Sequence, residues 1–226
     1  EVPKELVRFI TTLNCELTIV EKSGPLPVFD VCCPVLSLPY VFKTTVETIP
    51  WQVPYLFSDK QKVATWKNQL GDKNKMRVGL VWSGSAQHTN DKNRSIPFQD
   101  MLSVFDIPVE WHSLQKELRQ QDVDLINKHP EIQQHQNKLE DFSDTAALIE
   151  CLDLVITLDT SIAHLAGAIG KPVWILLPFT PDYRWMLDRN DSPWYPQARL
   201  FRQPKIGDWQ SVLEKVKSEL GQKASS

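Results

Sequence analysis

The 226-residue sequence predicts an α/β protein built on a doubly wound parallel sheet. From residue 77 onward, apolar β-branched runs alternate with segments of helical period, in the order β-α-β-…-α-β-α-β-…-β-α. Within that series, residues 154–178 read as a strand, a sharp polar turn, a helix, a glycine stop and a second buried strand.

Each element has a local reason. Residues 1–10 have the pattern of an amphipathic helix already under way. Leu17, Thr18, Ile19 and Val20 read as a short strand, and Phe29, Asp30, Val31, Cys32 and Cys33 as another, ended by Pro34. Residues 34–57 are rich in proline and aromatics and read as a rigid, extended connection. Residues 59–70 fit a helix with Ser58 as its cap, and residues 71–75 a polar linker. Residues 77–82 form a buried strand, followed by Ser83, Gly84, Ser85 and a long polar loop to Ser95. Pro97 opens a helix that reaches about Phe105. Residues 109–114 are a strand, and residues 117–129 suit a loop or a short helix. A helix over residues 145–151 takes Ser143 or Asp144 as its cap. Residues 198–201 are a strand, residues 209–220 a final helix, and the last residues a polar end.

The 154–178 unit carries the functional argument. Leu154, Val155, Ile156, Thr157 and Leu158 lack polar alternation, as a strand covered on both faces does. Asp159, Thr160 and Ser161 are all N-cap types, with Asp159 expected to cap. Ile162, Leu165, Ala166 and Ile169 follow the i, i+3, i+4, i+7 stripe and should face the sheet. His164 lies two residues after Ile162, about 200° around the helix, and so points off the stripe toward a cleft or solvent. Gly170 and Pro172 stop the helix. A strand end that meets a helix N-terminus is where open α/β sheets bind ligands, and free N–H groups there favour phosphate. A nucleotide or nucleotide-sugar is therefore the expected ligand, against the plainer alternative of a capped helix with a surface histidine.

Composition narrows the classes. With 42% hydrophobic and 23% charged residues the chain suits one or two globular domains, divided here into 1–75 and 76–226. The first 75 residues hold too few strands to complete a sheet domain and are expected to be the tail of one. A net charge of -3 gives no electrostatic footprint for nucleic acid. The sequence shows no bilayer-length apolar run and no signal peptide at its start, so a cytoplasmic location is expected. Cys15, Cys32, Cys33 and Cys151 have no metal-ligand spacing and are expected to be free, buried thiols; no carboxylate cluster suits a hard metal.

Other strand ends could contribute. Ser83 and Gly84 are small enough to let backbone N–H groups approach an anion, and Arg94 or Lys92 could neutralise a diphosphate; a solvated loop has the same composition. Gln115 could read a base or ribose and Lys116 could contact phosphate, or both could be ordinary surface residues. Asp144 could hold a ribose, though capping alone accounts for it. The aromatic segments 178–185 and 191–196 could wall a ligand or pack as a lid, with Arg184 the best candidate among them.

Taken together, these segments resemble the glycosyltransferase B superfamily. They are most similar to the heptosyltransferase-like (glycosyltransferase family 9-like) domains of bacterial tetratricopeptide-repeat proteins. The resemblance rests on Val78-Gly79-Leu80-Val81-Trp82-Ser83-Gly84, Ser113-Leu114-Gln115-Lys116, Asp144-Thr145-Ala146-Ala147, Asp159-Thr160-Ser161-Ile162-Ala163-His164-Leu165-Ala166-Gly167, and Trp194-Tyr195-Pro196 leading to Leu200-Phe201-Arg202-Gln203. The prolines of Pro34-Val35-Leu36-Ser37-Leu38-Pro39 resemble that family's N-terminal half. The resemblance implies two facing Rossmann-like domains, here a C-terminal parallel sheet and a truncated N-terminal α/β domain. It implies sugar transfer from a nucleoside diphosphate sugar to an acceptor hydroxyl on a protein or glycan, without a metal or a further cofactor. Its diphosphate would lie at the helix that starts near Asp159, held by Thr160, Ser161 and the N–H groups after them, with His164 or Lys116 adding hydrogen bonds or charge. The family's domain opens with a strand and glycine loop that carry the acceptor contacts and the base. That pattern is not found here, so this chain alone is expected to be inactive, no catalytic residue is assigned, and self-association is expected. A non-catalytic nucleotide-sugar module, and an epimerase or hydrolase on the same fold, stay open.

Overall fold

The computed structural model describes residues 1–13 and 15–225. Its helices are α1 (Lys4–Ile10), α2 (Leu38–Val41), α3 (Lys60–Leu70), α4 (Asp91–Arg94), α5 (Phe98–Met101), α6 (Gln120–Ile126), α7 (Phe142–Glu150), α8 (Ser161–Ala168) and α9 (Trp209–Ala224). Its strands are β1 (Arg77–Leu80), β2 (Glu110–Ser113), β3 (Ile132–Gln134), β4 (Leu154–Leu158), β5 (Val173–Leu177) and β6 (Ala198–Arg202). They form one parallel sheet of order β3-β2-β1-β4-β5-β6. Ser226, in the polar end, lies outside the described residues.

The register follows from burial on both faces. Leu154, Ile156 and Leu158 of β4 and Trp174 and Leu176 of β5 point into a layer shared with Phe98, Met101, Val212 and Val216. Val155, Val173, Ile175 and Leu177 point the other way, into a layer with Ala147, Leu148, Ala163 and Ala166. β4 and β5 thus alternate between two apolar layers, which is why their sequences show no polar face.

The five strands expected from residue 77 onward all form, and α6 settles residues 120–126 as helix. β3 was not expected. Of its three residues only Ile132 is buried, so an edge strand here carries no apolar run.

Three helix caps differ from expectation. Asp59, not Ser58, caps α3, accepting from the N–H groups of Gln61 and Lys62 at 2.9 and 3.1 Å, while the Ser58 hydroxyl donates to Ala146 O. Asp141, not Ser143 or Asp144, caps α7; Asp144 completes the capping box by accepting from Asp141 N–H, and pairs with Lys62 at 2.5 Å. Thr160, not Asp159, caps α8.

The N-terminal segment departs most. Residues 17–20 and 29–33 form no strand: the one pairing there is an isolated parallel bridge between Val2 and Glu21. Among the described residues neither run pairs with a strand of the sheet, and Phe29, Val31, Leu36, Tyr40 and Phe42 are exposed. Phe9, Leu56 and Trp66 nevertheless insert into the apolar layer beside α7 and α8, so α1 and α3 pack on the sheet domain. The thiols also differ from expectation, with Cys15, Cys32 and Cys33 exposed and Cys151 half-buried. Among the described residues no helix is long and apolar enough to cross a membrane.

Candidate functional site

Strand order reverses between β1 and β4: the chain leaves β1 toward β2 on one side and β4 toward β5 on the other. Loops leaving a sheet at such a switch point diverge, and the crevice between them is where open α/β sheets place ligands. The loops after β1, β2 and β4 supply its walls here. Thr160 stands at its centre. Its extended backbone ends the turn after β4, and its hydroxyl accepts from Ile162 N–H at 3.3 Å and lies 3.1 Å from the Thr157 hydroxyl. Ser161 opens α8 and is exposed.

The loop after β1 is built around Asp91. Its carboxylate accepts from the Ser95 hydroxyl at 2.7 Å and pairs with Arg119, and Arg94 Nε lies 3.9 Å away. Ser95 Oγ in turn accepts from Gly84 N–H at 3.1 Å. Arg94 lies across Gly84, where a Cβ would come within 2.5 Å of the guanidinium, and donates to Asp159 O at 2.6 Å. Gly84 therefore leaves the space through which Arg94 reaches the turn before α8. Lys92, its alternative in the sequence, is exposed. Ser83 N–H donates to Gln115 Oε1 at 3.3 Å, so both backbone N–H groups expected to approach an anion are bonded within the protein. The Ser83 hydroxyl is different. It is buried and has no hydrogen-bond partner among the described residues. Such a group costs stability unless something completes it.

Two clefts meet at Thr160 and Ser161. The β2-side cleft, about 290 Å³, is walled by Ser83, Gly84, Gln115, Lys116, Leu114, Leu139, Phe142 and Ile162, with Glu5 of α1 at its rim. The β5-side cleft, about 420 Å³, is walled by Arg94, Asp159, His164, Thr180, Asp182 and Arg184. The first is largely apolar, and the second is polar and apolar in about equal measure, with four charged side chains on its walls. His164 sits on the wall of the second. Its ring stacks on Trp185 at 5.3 Å, and Nδ1 lies 3.0 Å from the Tyr195 hydroxyl. Burial, reinforced by Arg184, holds its pKa below the usual histidine value, so the ring is neutral near pH 7. Arg184 Nε lies 3.0 Å from Asp182, at the mouth.

Sequence comparison bears on this crevice directly. Residues 137–214, spanning α7, β4, α8, β5 and β6, match the family model described as glycosyltransferase family 9 (heptosyltransferase). The match covers about a third of the chain. The chain is 28% identical over 191 residues to Protein FlbA of Caulobacter vibrioides, covering 81% of this chain but 32% of FlbA, so it spans about a third of that relative. Its fold is similar to that of the ADP-heptose lps heptosyltransferase II of E. coli, with a TM-score of 0.53 and 16% identity over 80% of this chain and 58% of that one. The α/β fold with its six-stranded parallel sheet is thus shared with that heptosyltransferase.

Most of the expected residues converge on this crevice. Ser83, Gly84, Gln115 and Lys116 reach the β2-side cleft, Asp159, His164 and Arg184 the β5-side cleft, and Thr160 and Ser161 both. Gln115 is held by Ser83 and Glu117 backbone groups, and Lys116 donates to Leu139 O. Asp144 does not reach either wall, because its two oxygens serve the α7 cap and Lys62. Trp185 and Tyr195, from the aromatic segments expected to wall a ligand or pack as a lid, back the wall at His164. Arg119 and Gly167 were not anticipated as site residues; they touch the walls from behind, and such contacts between distant segments leave no local spacing signal. Only the glycine in His164-Leu165-Ala166-Gly167 hints that another side chain lies against α8.

Proposed function

We propose that this domain binds a nucleoside diphosphate sugar across the two clefts and serves sugar transfer to an acceptor hydroxyl. The diphosphate lies over Thr160 and Ser161 at the N-terminus of α8. The reading is carried by the orphaned, buried Ser83 hydroxyl, which lines the cleft at the topological switch point. It is further supported by two guanidinium groups, Arg94 and Arg184, that flank the α8 N-terminus. In the reaction the acceptor oxygen bonds to the anomeric carbon as its proton passes to solvent water. The bond from that carbon to the phosphate oxygen breaks, and the nucleoside diphosphate leaves. The helix N-terminus and the two arginines oppose the charge that develops on the leaving oxygen, so the reading assigns no metal to that task. His164, neutral, contributes a hydrogen bond rather than charge.

The same proposal places the domain in a cytoplasmic tetratricopeptide-repeat protein that modifies a protein or glycan. It includes self-association through the exposed apolar side chains of residues 26–42, which light scattering tests. The donor site is tested by calorimetric titration with UDP, GDP, ADP and CMP sugars, with and without chelator. Binding that survives chelator is expected. Binding lost with chelator, or absent for every nucleotide, contradicts the proposal. This chain alone is expected to bind the donor without transferring it; a full-length protein that binds the donor without transfer to any acceptor favours the non-catalytic module.

A further inference from the structure

We propose that Tyr195 is a positioning residue that fixes the His164 ring, so that Nε2–H is presented to the β5-side cleft as a hydrogen-bond donor. What Nε2–H meets there rests on the donor-site reading above; how the ring is held does not.

Three contacts hold the ring. The first is a notch in α8. A Cβ at Gly167 would lie 2.4 Å from Tyr195 Cδ1 and 2.5 Å from Cγ, so glycine alone lets the tyrosine ring lie against the helix. Tyr195 is buried there. The second is polar: from that notch the Tyr195 hydroxyl reaches His164 Nδ1 at 3.0 Å. The third is aromatic. Trp185, fully buried, stacks on the imidazole with an interplanar angle of 19°. Arg202 holds Trp185 in turn by donating to the Trp185 and Met186 carbonyls.

The chemistry then fixes the tautomer. Burial, reinforced by the charge of Tyr55 and a side-chain hydrogen bond with it, keeps the Tyr195 phenol protonated well beyond the usual range. A phenol O–H that donates to Nδ1 leaves the imidazole proton on Nε2, because the neutral ring carries only one. Among the described residues no hydrogen bond is made to Nε2, and the ring lines a cleft shared with Ser161, Arg184 and Asp159. An oxygen of a phosphate or sugar is the partner that Nε2–H fits.

Long-range ¹H–¹⁵N spectra of the imidazoles test this, with the His164 signals assigned by their loss in His164→Ala. The wild type is expected to show the Nε2–H tautomer at His164, and Tyr195→Phe, which keeps the ring in its notch, a mixture of tautomers. This readout needs no ligand, so it stands even if the donor-site reading fails. Titration with UDP, GDP and ADP adds the second arm. Tyr195→Phe should weaken the nucleotide that binds by about threefold to tenfold, the range of one hydrogen bond. The double variant with His164→Ala should bind no more weakly than His164→Ala alone. An Nδ1–H tautomer in the wild type, an unchanged tautomer in Tyr195→Phe, or additive losses in the double variant would overturn the proposal.

Discussion

Residues 17–33 and residues 154–177 have similar strand-forming composition and opposite fates. Leu17, Thr18, Ile19 and Val20 are as β-branched as Leu154, Val155, Ile156 and Thr157. The later run is a central strand between β1 and β5. The earlier one is unpaired but for the bridge beside it, and the nearby Val31 is 86% exposed where Ile156 is 0%. The difference teaches that β-branched residues fit a pleated, half-buried surface and do not make one. A strand forms where a neighbour offers both an edge and a face.

The sharpest way to break that comparison is to truncate matched residues. Ile156→Ala should cost about 2–5 kcal/mol in chemical denaturation, because it opens a cavity between two packed layers. Val31→Ala should stay within about 0.5 kcal/mol, as at an exposed site. A large loss at Val31 would mean that residues 29–33 are paired in solution.

A smaller effect separates the two regions by pH. His112 of β2 and His135 after β3 are buried with ring nitrogens 3.1 Å apart, and His112 Nε2 has no partner among the described residues. Burial first, then the charge of His135 at His112 and of Lys138 at His135, lowers both pKa values to about 4. The unfolded chain takes up these protons near 6.5 and the folded chain near 4, so the stability is intact above 6.5 and is lost progressively as pH falls through that window. A melting temperature that falls between those values in the wild type, and falls less in His112→Gln, is the expected result. The exposed N-terminal segment contributes no comparable buried pair.

The sheet was legible because strands buried on both faces carry unbroken apolar runs. The caps and the backing of the site were not. Asp59, Thr160 and Asp141 each stand beside another good cap, Ser58, Asp159 or Ser143, and only the path of the chain into the helix selects among them. Tyr195 meets Gly167, and Arg119 meets Asp91, across intervals of 28 residues, where no helical or strand period applies. β3 was missed because two of its three side chains are exposed. The caps give a third test. Asp141→Ala should cost about 1 kcal/mol, and Asp159→Ala, whose side chain caps nothing, less than about 0.5 kcal/mol. Equal losses would return the α8 cap to Asp159.

The central claim is that the N-terminus of α8 receives a diphosphate. Ser161→Glu tests it most directly, since a carboxylate in the first turn of a helix suits the macrodipole and should leave the melting temperature unchanged or slightly raised. The same carboxylate stands where the two clefts meet and repels a bound diphosphate. Titrated in chelator with UDP, GDP and ADP, the wild type should bind at least one nucleotide and Ser161→Glu should bind it at least about tenfold more weakly, the factor that 1.4 kcal/mol represents. Equal affinity in the two proteins would contradict the account.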